Sequence, residues 1–87
     1  WKVNDLDEAI GRANHSIFGL GSVIFTQDKV EMDQAVSELE AGATFVNAMV
    51  SSDPRMPFGG IKQSGYGREL AADGIKAFVN RKTVFIA

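Results

Sequence analysis

Residues 57–69, Pro-Phe-Gly-Gly-Ile-Lys-Gln-Ser-Gly-Tyr-Gly-Arg-Glu, constrain the fold of this chain more than any other stretch. Four of the nine glycines of the chain lie here. Because glycine costs backbone entropy in a helix or a strand, this composition predicts a shaped loop. In such a loop the backbone turns tightly or comes close to another group. We refer to residues 57–69 as the glycine loop.

The sequence before the glycine loop predicts an α/β fold. Residues 20–25 and 43–50 are rich in β-branched and aromatic side chains and are predicted to be strands. Residues 28–39 between them carry apolar side chains at helical spacing, and Gly42 stands where a glycine would end the helix: Met32, Ala35, Val36, Leu39. A strand, a helix and a strand in this order predict a βαβ unit with parallel strands and a right-handed crossover.

Further helices and a last strand are predicted on either side of this unit. Residues 2–14 carry an apolar stripe and are predicted to form a helix. Near its start, Asp5 and Glu8 resemble a capping box. A third helix is predicted from after Glu69 to about Phe78, with Gly74 making it weak or closely packed. Residues 82–87 have high strand propensity. That strand either pairs inside its own domain or, as an exposed edge, pairs with a partner subunit.

Composition excludes several classes of function. With 87 residues the chain fits one small domain or a piece of a larger one, and its start at Trp1 predicts a missing upstream segment. A net charge of −2 gives no basic surface for nucleic acid or membrane. There is no cysteine, hence no disulfide, thiolate metal site or cysteine nucleophile within these residues. No export signal or membrane-spanning apolar run is visible, so a cytoplasmic location is expected.

The chemical motifs that the chain contains are incomplete. Residues 60–65 begin like a phosphate-binding loop, but Tyr66 and Gly67 replace the lysine and hydroxyl residue that would follow. His15 is the only histidine and is predicted to be a capping or surface residue, so neither a metal site nor a serine hydrolase triad is supported. Arg68 and Glu69 are predicted to form a buried structural ion pair rather than a catalytic pair.

The glycine loop closely resembles the C-terminal signature of the NAD(P)-dependent aldehyde dehydrogenase superfamily. The resemblance is carried by Pro57-Phe58-Gly59-Gly60, Lys62, Ser64-Gly65 and Gly67-Arg68-Glu69. It extends over nearly the whole chain through Ala13-Asn14, Phe18-Gly19-Leu20, Val23, Phe25-Thr26, Gly42, Val46-Asn47, Gly74-Ile75 and Lys82-Thr83-Val84. Ser51-Ser52-Asp53-Pro54-Arg55 is most similar to the succinate-semialdehyde dehydrogenase branch.

The resemblance implies a place for this chain within a much longer enzyme. Residues 1–80 would be the C-terminal part of the catalytic domain, and residues 81–87 a strand of the arm through which such enzymes form homo-oligomers. The family's nucleophilic cysteine, its glutamate base and its main contacts to NAD or NADP would lie upstream. In the family's chemistry a thiolate attacks the aldehyde, hydride passes to NAD(P)+ and water hydrolyses the thioester.

The same resemblance implies two substrate-binding residues and no catalytic or metal-binding residue in this chain. Phe58 falls where the family places an aromatic side chain facing the aldehyde, although composition alone favours a core phenylalanine. Ser52 falls where succinate-semialdehyde enzymes place a serine that holds the far carboxylate of the substrate. Arg55 could add positive charge or be a solvated turn residue, and Arg68 is similar to an arginine that braces the loop near the subunit contact.

Two hypotheses about function follow from the sequence. The first is an aldehyde dehydrogenase, acting on a small aldehyde such as succinate semialdehyde, of which these residues alone would be inactive. The second is a non-enzymatic α/β module that associates through its last strand.

Overall fold

The computed structural model describes residues 1–87 and contains three helices and four short strands. In chain order these are α1 (Leu6–Asn14), β1 (Phe18–Gly19), β2 (Gly21–Ile24), α2 (Lys29–Glu38), β3 (Ala43–Val46), β4 (Ile61–Lys62) and α3 (Ala71–Lys76). No helix is long and apolar enough to cross a bilayer.

The βαβ unit predicted from the sequence is present. Strands β2 and β3 pair in parallel, with Val23 opposite Phe45, and α2 connects them. The hydroxyl groups of Ser22 and Thr44 lie 2.9 Å apart across the pair. Both strands end earlier than predicted, because the backbone at Asn47 turns to a φ of 54°. The α/β fold class with a parallel strand pair is therefore confirmed.

A second, antiparallel pair was not predicted. Strand β4 of the glycine loop pairs with β1, placing Lys62 opposite Phe18 and Ile61 opposite Gly19. An isolated bridge then joins Phe58 to Glu69 within the loop itself. The glycine loop is thus partly strand, because hydrogen bonds to distant residues offset the low strand propensity of glycine.

The first two helices begin at side-chain caps. The Asp5 carboxylate accepts a hydrogen bond from the Glu8 amide, so α1 begins at Leu6 and the prediction of helix from residue 2 is wrong. Glu8 reaches back to the amide of Asn4 at 3.0 Å, one residue before the position of an ordinary capping box. Asp28 caps α2 in the same way, accepting from Val30 at 2.7 Å.

Gly42 has a different role from the predicted one. Leu39, the residue after α2, has an extended conformation, so no left-handed glycine terminates the helix. Instead, a Cβ atom added at Gly42 would lie 1.7 Å from the carbonyl oxygen of Gly59. The start of β3 and the glycine loop are therefore in direct backbone contact, which only a residue without a side chain permits.

The C-terminal part of the chain is less regular than predicted. Helix α3 has only six residues and ends before Phe78, and Gly74 in it packs closely on Glu69. Residues 82–87 form no strand, because no segment of this chain lies beside them to accept their hydrogen bonds. Of the two predicted pairings, the one inside the domain is not formed among residues 1–87. The chain is elongated, with a longest dimension of 61 Å against 24 Å in the other two.

The chain exposes much apolar surface. Its only buried apolar side chains are Ile10 of α1 and Ala35 of α2. The accessible surface is 6998 Å², whereas a compact monomer of 9.4 kDa exposes about 5,000 Å². Phe78 and Phe85 are 93% and 87% exposed. The helices and strands thus present faces that residues 1–87 do not cover.

We predict that Gly42→Ala destabilises the protein strongly, since the added methyl group would overlap the Gly59 carbonyl. The matched control is Gly11→Ala in α1, where a new Cβ meets nothing within 4 Å. That control should stabilise the protein by up to about 1 kcal/mol, because alanine has the higher helix propensity. Thermal unfolding of the two full-length variants measures the difference. Equal melting temperatures would show that the backbone contact at Gly42 is unimportant.

Candidate functional site

A large cleft lies between the glycine loop and α3. It has a volume of about 980 Å³ and combines apolar side chains with one arginine and one glutamate: Leu20, Phe58, Ile75, Phe78, Arg68, Glu69. The amide of Ala71 donates to the carbonyl of Pro54 at 3.1 Å and ties the turn before the loop to the start of α3. A mostly apolar cleft with a few polar groups is the usual form of a small-molecule site.

Phe58 lies in the wall of this cleft and its backbone is fixed. The Phe58 amide donates to the carbonyl of Glu69 at 2.9 Å, and the Glu69 amide donates back to Phe58 at 2.8 Å. Phe58 follows Pro57, whose ring limits the backbone on the other side. The side chain is half-buried. A rigid aromatic ring thus borders the cleft.

Ser52 lies outside the residues that line the cleft. It is exposed, and its hydroxyl group makes no hydrogen bond within the chain. The neighbouring Arg55 pairs with Asp53, with its Nη2 atom 2.6 Å from Oδ2 of Asp53. The side-chain hydrogen bond from Arg55 holds the pKa of Asp53 below its ordinary value, and the same contact raises the pKa of Arg55. The positive charge of Arg55 is therefore already neutralised within the turn.

Arg68 and Glu69 do not form the predicted ion pair. The Nη1 atom of Arg68 instead donates to the carbonyl oxygens of Gly60 and Gly67, at 2.8 and 2.7 Å. Glu69 contributes its backbone to the bridge with Phe58, while its side chain is exposed. The prediction failed because a guanidinium group can satisfy its donors with carbonyl oxygens as well as with a carboxylate. Arg68 holds the two halves of the glycine loop together.

The glycine loop offers no cradle for a cofactor phosphate. A phosphate-binding loop presents free amide groups, but those of Gln63, Ser64 and Gly65 all donate to carbonyl oxygens of the chain itself. These three amides are therefore not free to bind a phosphate of NAD or NADP. No three potential ligand side chains come together as a metal site either.

Sequence reasoning missed the structural contacts of three residues. Lys62, Asn14 and Asn47 each bond to segments distant in sequence, whereas the sequence alone marked them only as part of the family resemblance. The side-chain amide of Asn47 makes two hydrogen bonds to the backbone of Thr26. It accepts from the N–H at 2.9 Å and donates to the carbonyl at 2.8 Å. The tolerance of asparagine for positive φ was the one available signal.

The sequence of this chain is similar to those of known enzymes. The family model "Aldehyde dehydrogenase family" matches residues 1–84. The chain is 52% identical over 86 residues to succinate-semialdehyde dehydrogenase [NADP(+)] 1 of Mycobacterium ulcerans, covering 99% of this chain and 19% of that protein. It is 53% identical over 85 residues to a probable succinate-semialdehyde dehydrogenase [NADP(+)] of Synechocystis, covering 98% and 19%.

Solved structures of relatives match the fold as well as the sequence. Succinic semialdehyde dehydrogenase from Streptococcus pyogenes, in complex with NADP+, superposes with a TM-score of 0.89 at 44% identity, covering 98% of this chain and 19% of that one. Betaine aldehyde dehydrogenase from Staphylococcus aureus, in complex with NAD+, gives 0.84 at 34% identity, covering 87% and 15%.

The chain spans about one fifth of the length of the curated relatives that it matches. The match nevertheless runs through almost every residue described above, including the glycine loop and both strand pairs. The resemblance predicted from the glycine loop is thus confirmed, and the chain belongs to the aldehyde dehydrogenase family.

Proposed function

We propose that the protein containing this chain oxidises succinate semialdehyde to its carboxylic acid, with NADP+ or NAD+ as the acceptor. The observation that carries the proposal is the 52% identity over 86 residues to a succinate-semialdehyde dehydrogenase. When bound, the dinucleotide would supply the acceptor for the hydride of the aldehyde carbon. The alternative of a non-enzymatic module is not favoured, because the relatives are named as enzymes.

The proposed division of labour leaves the covalent chemistry outside residues 1–87. These residues contain no cysteine. A nucleophilic cysteine and a glutamate base would have to come from other parts of the protein, and the 87-residue chain alone is expected to be inactive. Residues 1–80 would belong to the catalytic domain and residues 81–87 to an oligomerisation arm. A cytoplasmic location stays a prediction from the sequence.

Within this proposal Phe58 and Ser52 bind the substrate. The ring of Phe58 at the cleft wall would pack on the methylene groups of succinate semialdehyde and keep water away from them. The free hydroxyl group of Ser52 would donate a charge-assisted hydrogen bond to the far carboxylate. Arg55 is a poorer candidate for that role, because Asp53 already pairs with it.

The last residues are proposed to pair with a second copy of the protein. Residues 82–87 make no hydrogen bond within the chain. Val84, Phe85 and Ile86 are all largely exposed. Strand-forming residues with free backbone groups favour the addition of a strand to another sheet. This contact would make the protein a homo-oligomer.

We predict that Ser52→Ala in the full-length protein lowers kcat/KM for succinate semialdehyde by about 10- to 100-fold, the value of a lost hydrogen bond to a charged group. The value for an aldehyde without a carboxylate should stay nearly constant. Steady-state kinetics with both aldehydes measure the difference, and Ser51→Ala is the matched control. If both aldehydes lose activity equally, the carboxylate role of Ser52 is wrong.

We also predict that proline disrupts assembly at one of two neighbouring tail positions, 84 and 85, but not at the other. Successive amide groups of a strand point to opposite sides, so only one of Val84→Pro and Phe85→Pro removes a hydrogen bond to the partner. Sedimentation velocity of the two full-length variants should show that one dissociates much more than the other. A protein that lacks residues 82–87 and still assembles like the wild type would contradict the proposed contact.

A further inference from the structure

The ammonium group of Lys62 contacts three acceptors that lie far from it in the sequence. Its Nζ atom donates to the carbonyl oxygens of Asn14 and Ser16, at 2.8 and 3.3 Å. It also lies 2.5 Å from the Oε2 atom of Glu40. An ammonium group has three N–H donors, and three acceptors surround this one.

The acceptors lie at the end of α1 or within two residues of the ends of α1 and α2. Helix α1 ends at Asn14, and Glu40 lies just beyond the end of α2. The carbonyl end of a helix carries partial negative charge, so a cation there is favourable. Lys62 therefore brings a positive charge from the glycine loop to the two helix ends.

Asn14 completes a closed ring of contacts. Its side-chain amide donates to the carbonyl of Glu38 at 2.8 Å, and its Oδ1 atom accepts from the amide of Glu40 at 2.8 Å. Asn14 thus joins α1 to α2, while Lys62 joins both to β4. We call the contacts among Lys62, Asn14 and Glu40 the lysine bridge.

The lysine bridge is connected to Phe58 along the glycine loop, through the Arg68 side chain and the Phe58–Glu69 backbone pair. Lys62 has a φ of 54°, an unfavourable conformation for a residue with a side chain. Two residues earlier in the loop, the carbonyl of Gly60 accepts a hydrogen bond from Arg68. The next residue, Glu69, pairs through its backbone with Phe58. Because Lys62 attaches the loop to the helices and Arg68 joins its two halves, the backbone of Phe58 has little freedom to move.

We propose that Lys62 is a positioning residue for substrate binding, which fixes the glycine loop on the ends of α1 and α2 and so sets the place of Phe58 in the cleft wall. The part of this inference that concerns substrate rests on the proposed function above. The part that concerns the loop does not.

An ordinary surface ion pair would not have this effect. Exposed pairs between lysine and a carboxylate contribute little to stability. The Lys29–Asp33 pair of α2 is such a case, with side chains 84% and 68% exposed. The Lys62 side chain is 25% exposed and its partner Glu40 is 54% exposed. Lys62 also makes two hydrogen bonds to carbonyl oxygens, which Lys29 lacks. Lys29→Met is therefore the matched control for Lys62→Met.

The first measurement is amide hydrogen exchange of the full-length protein. In Lys62→Met the amides of Phe58, Gln63 and Glu69 should exchange about tenfold faster or more, because the loop opens locally. Lys29→Met should leave them unchanged, and Lys62→Arg should recover part of the protection because arginine keeps the charge and donors. If Lys62→Met fails to fold, Glu40→Gln, which removes only one partner's charge, should show a smaller effect in the same direction.

The second measurement is steady-state kinetics with succinate semialdehyde. Lys62→Met should raise KM severalfold while kcat stays within about twofold, because a misplaced wall weakens binding without altering the reacting groups. Exchange in the glycine loop equal to that of Lys29→Met overturns the proposal. Faster exchange with an unchanged KM overturns the link to substrate. If the wild-type protein oxidises no aldehyde, the proposed function fails, while the exchange result still decides the role of Lys62.

Discussion

The contact between the backbone at Gly42 and that at Gly59 is the constraint on which the arrangement depends. It brings the glycine loop against the start of β3 at a distance that excludes any side chain. The pairing of β4 with β1 runs alongside, so the loop is held on two sides by backbone. Lys62 adds a third attachment at the helix ends. The glycine loop is therefore held in place at three points, although its composition favours neither helix nor strand.

This anchoring explains how a glycine-rich segment can form a precise site. Glycine permits close approach and sharp turns, which include φ values of 115° at Gly65 and 83° at Gly67. The same freedom would leave the loop mobile if nothing else held it. Arg68 and the Phe58–Glu69 bridge restore the lost rigidity through hydrogen bonds. A side chain at the wall can then keep a fixed position toward a ligand.

The exposed apolar surface fits the place of the chain among its relatives. The chain spans 19% of the length of the Mycobacterium ulcerans protein and presents apolar faces on α3 and on its tail. The sequence left open where residues 82–87 pair, since strand propensity does not supply a neighbour. The predicted Arg68–Glu69 ion pair was wrong, since acceptors other than a carboxylate were within reach.

The sequence by itself determined the elements that depend on neighbouring residues and the family. Apolar periodicity predicted α1 and α2, and β-branched composition with the strand–helix–strand order predicted the parallel pair. The cap at Asp5 followed from residue type, and the glycine loop identified the aldehyde dehydrogenase family. Only the tertiary structure decided the close approach at Gly42 and the partners of Lys62. Those contacts join residues up to 48 positions apart, and local spacing carries no information about which distant backbone will lie opposite.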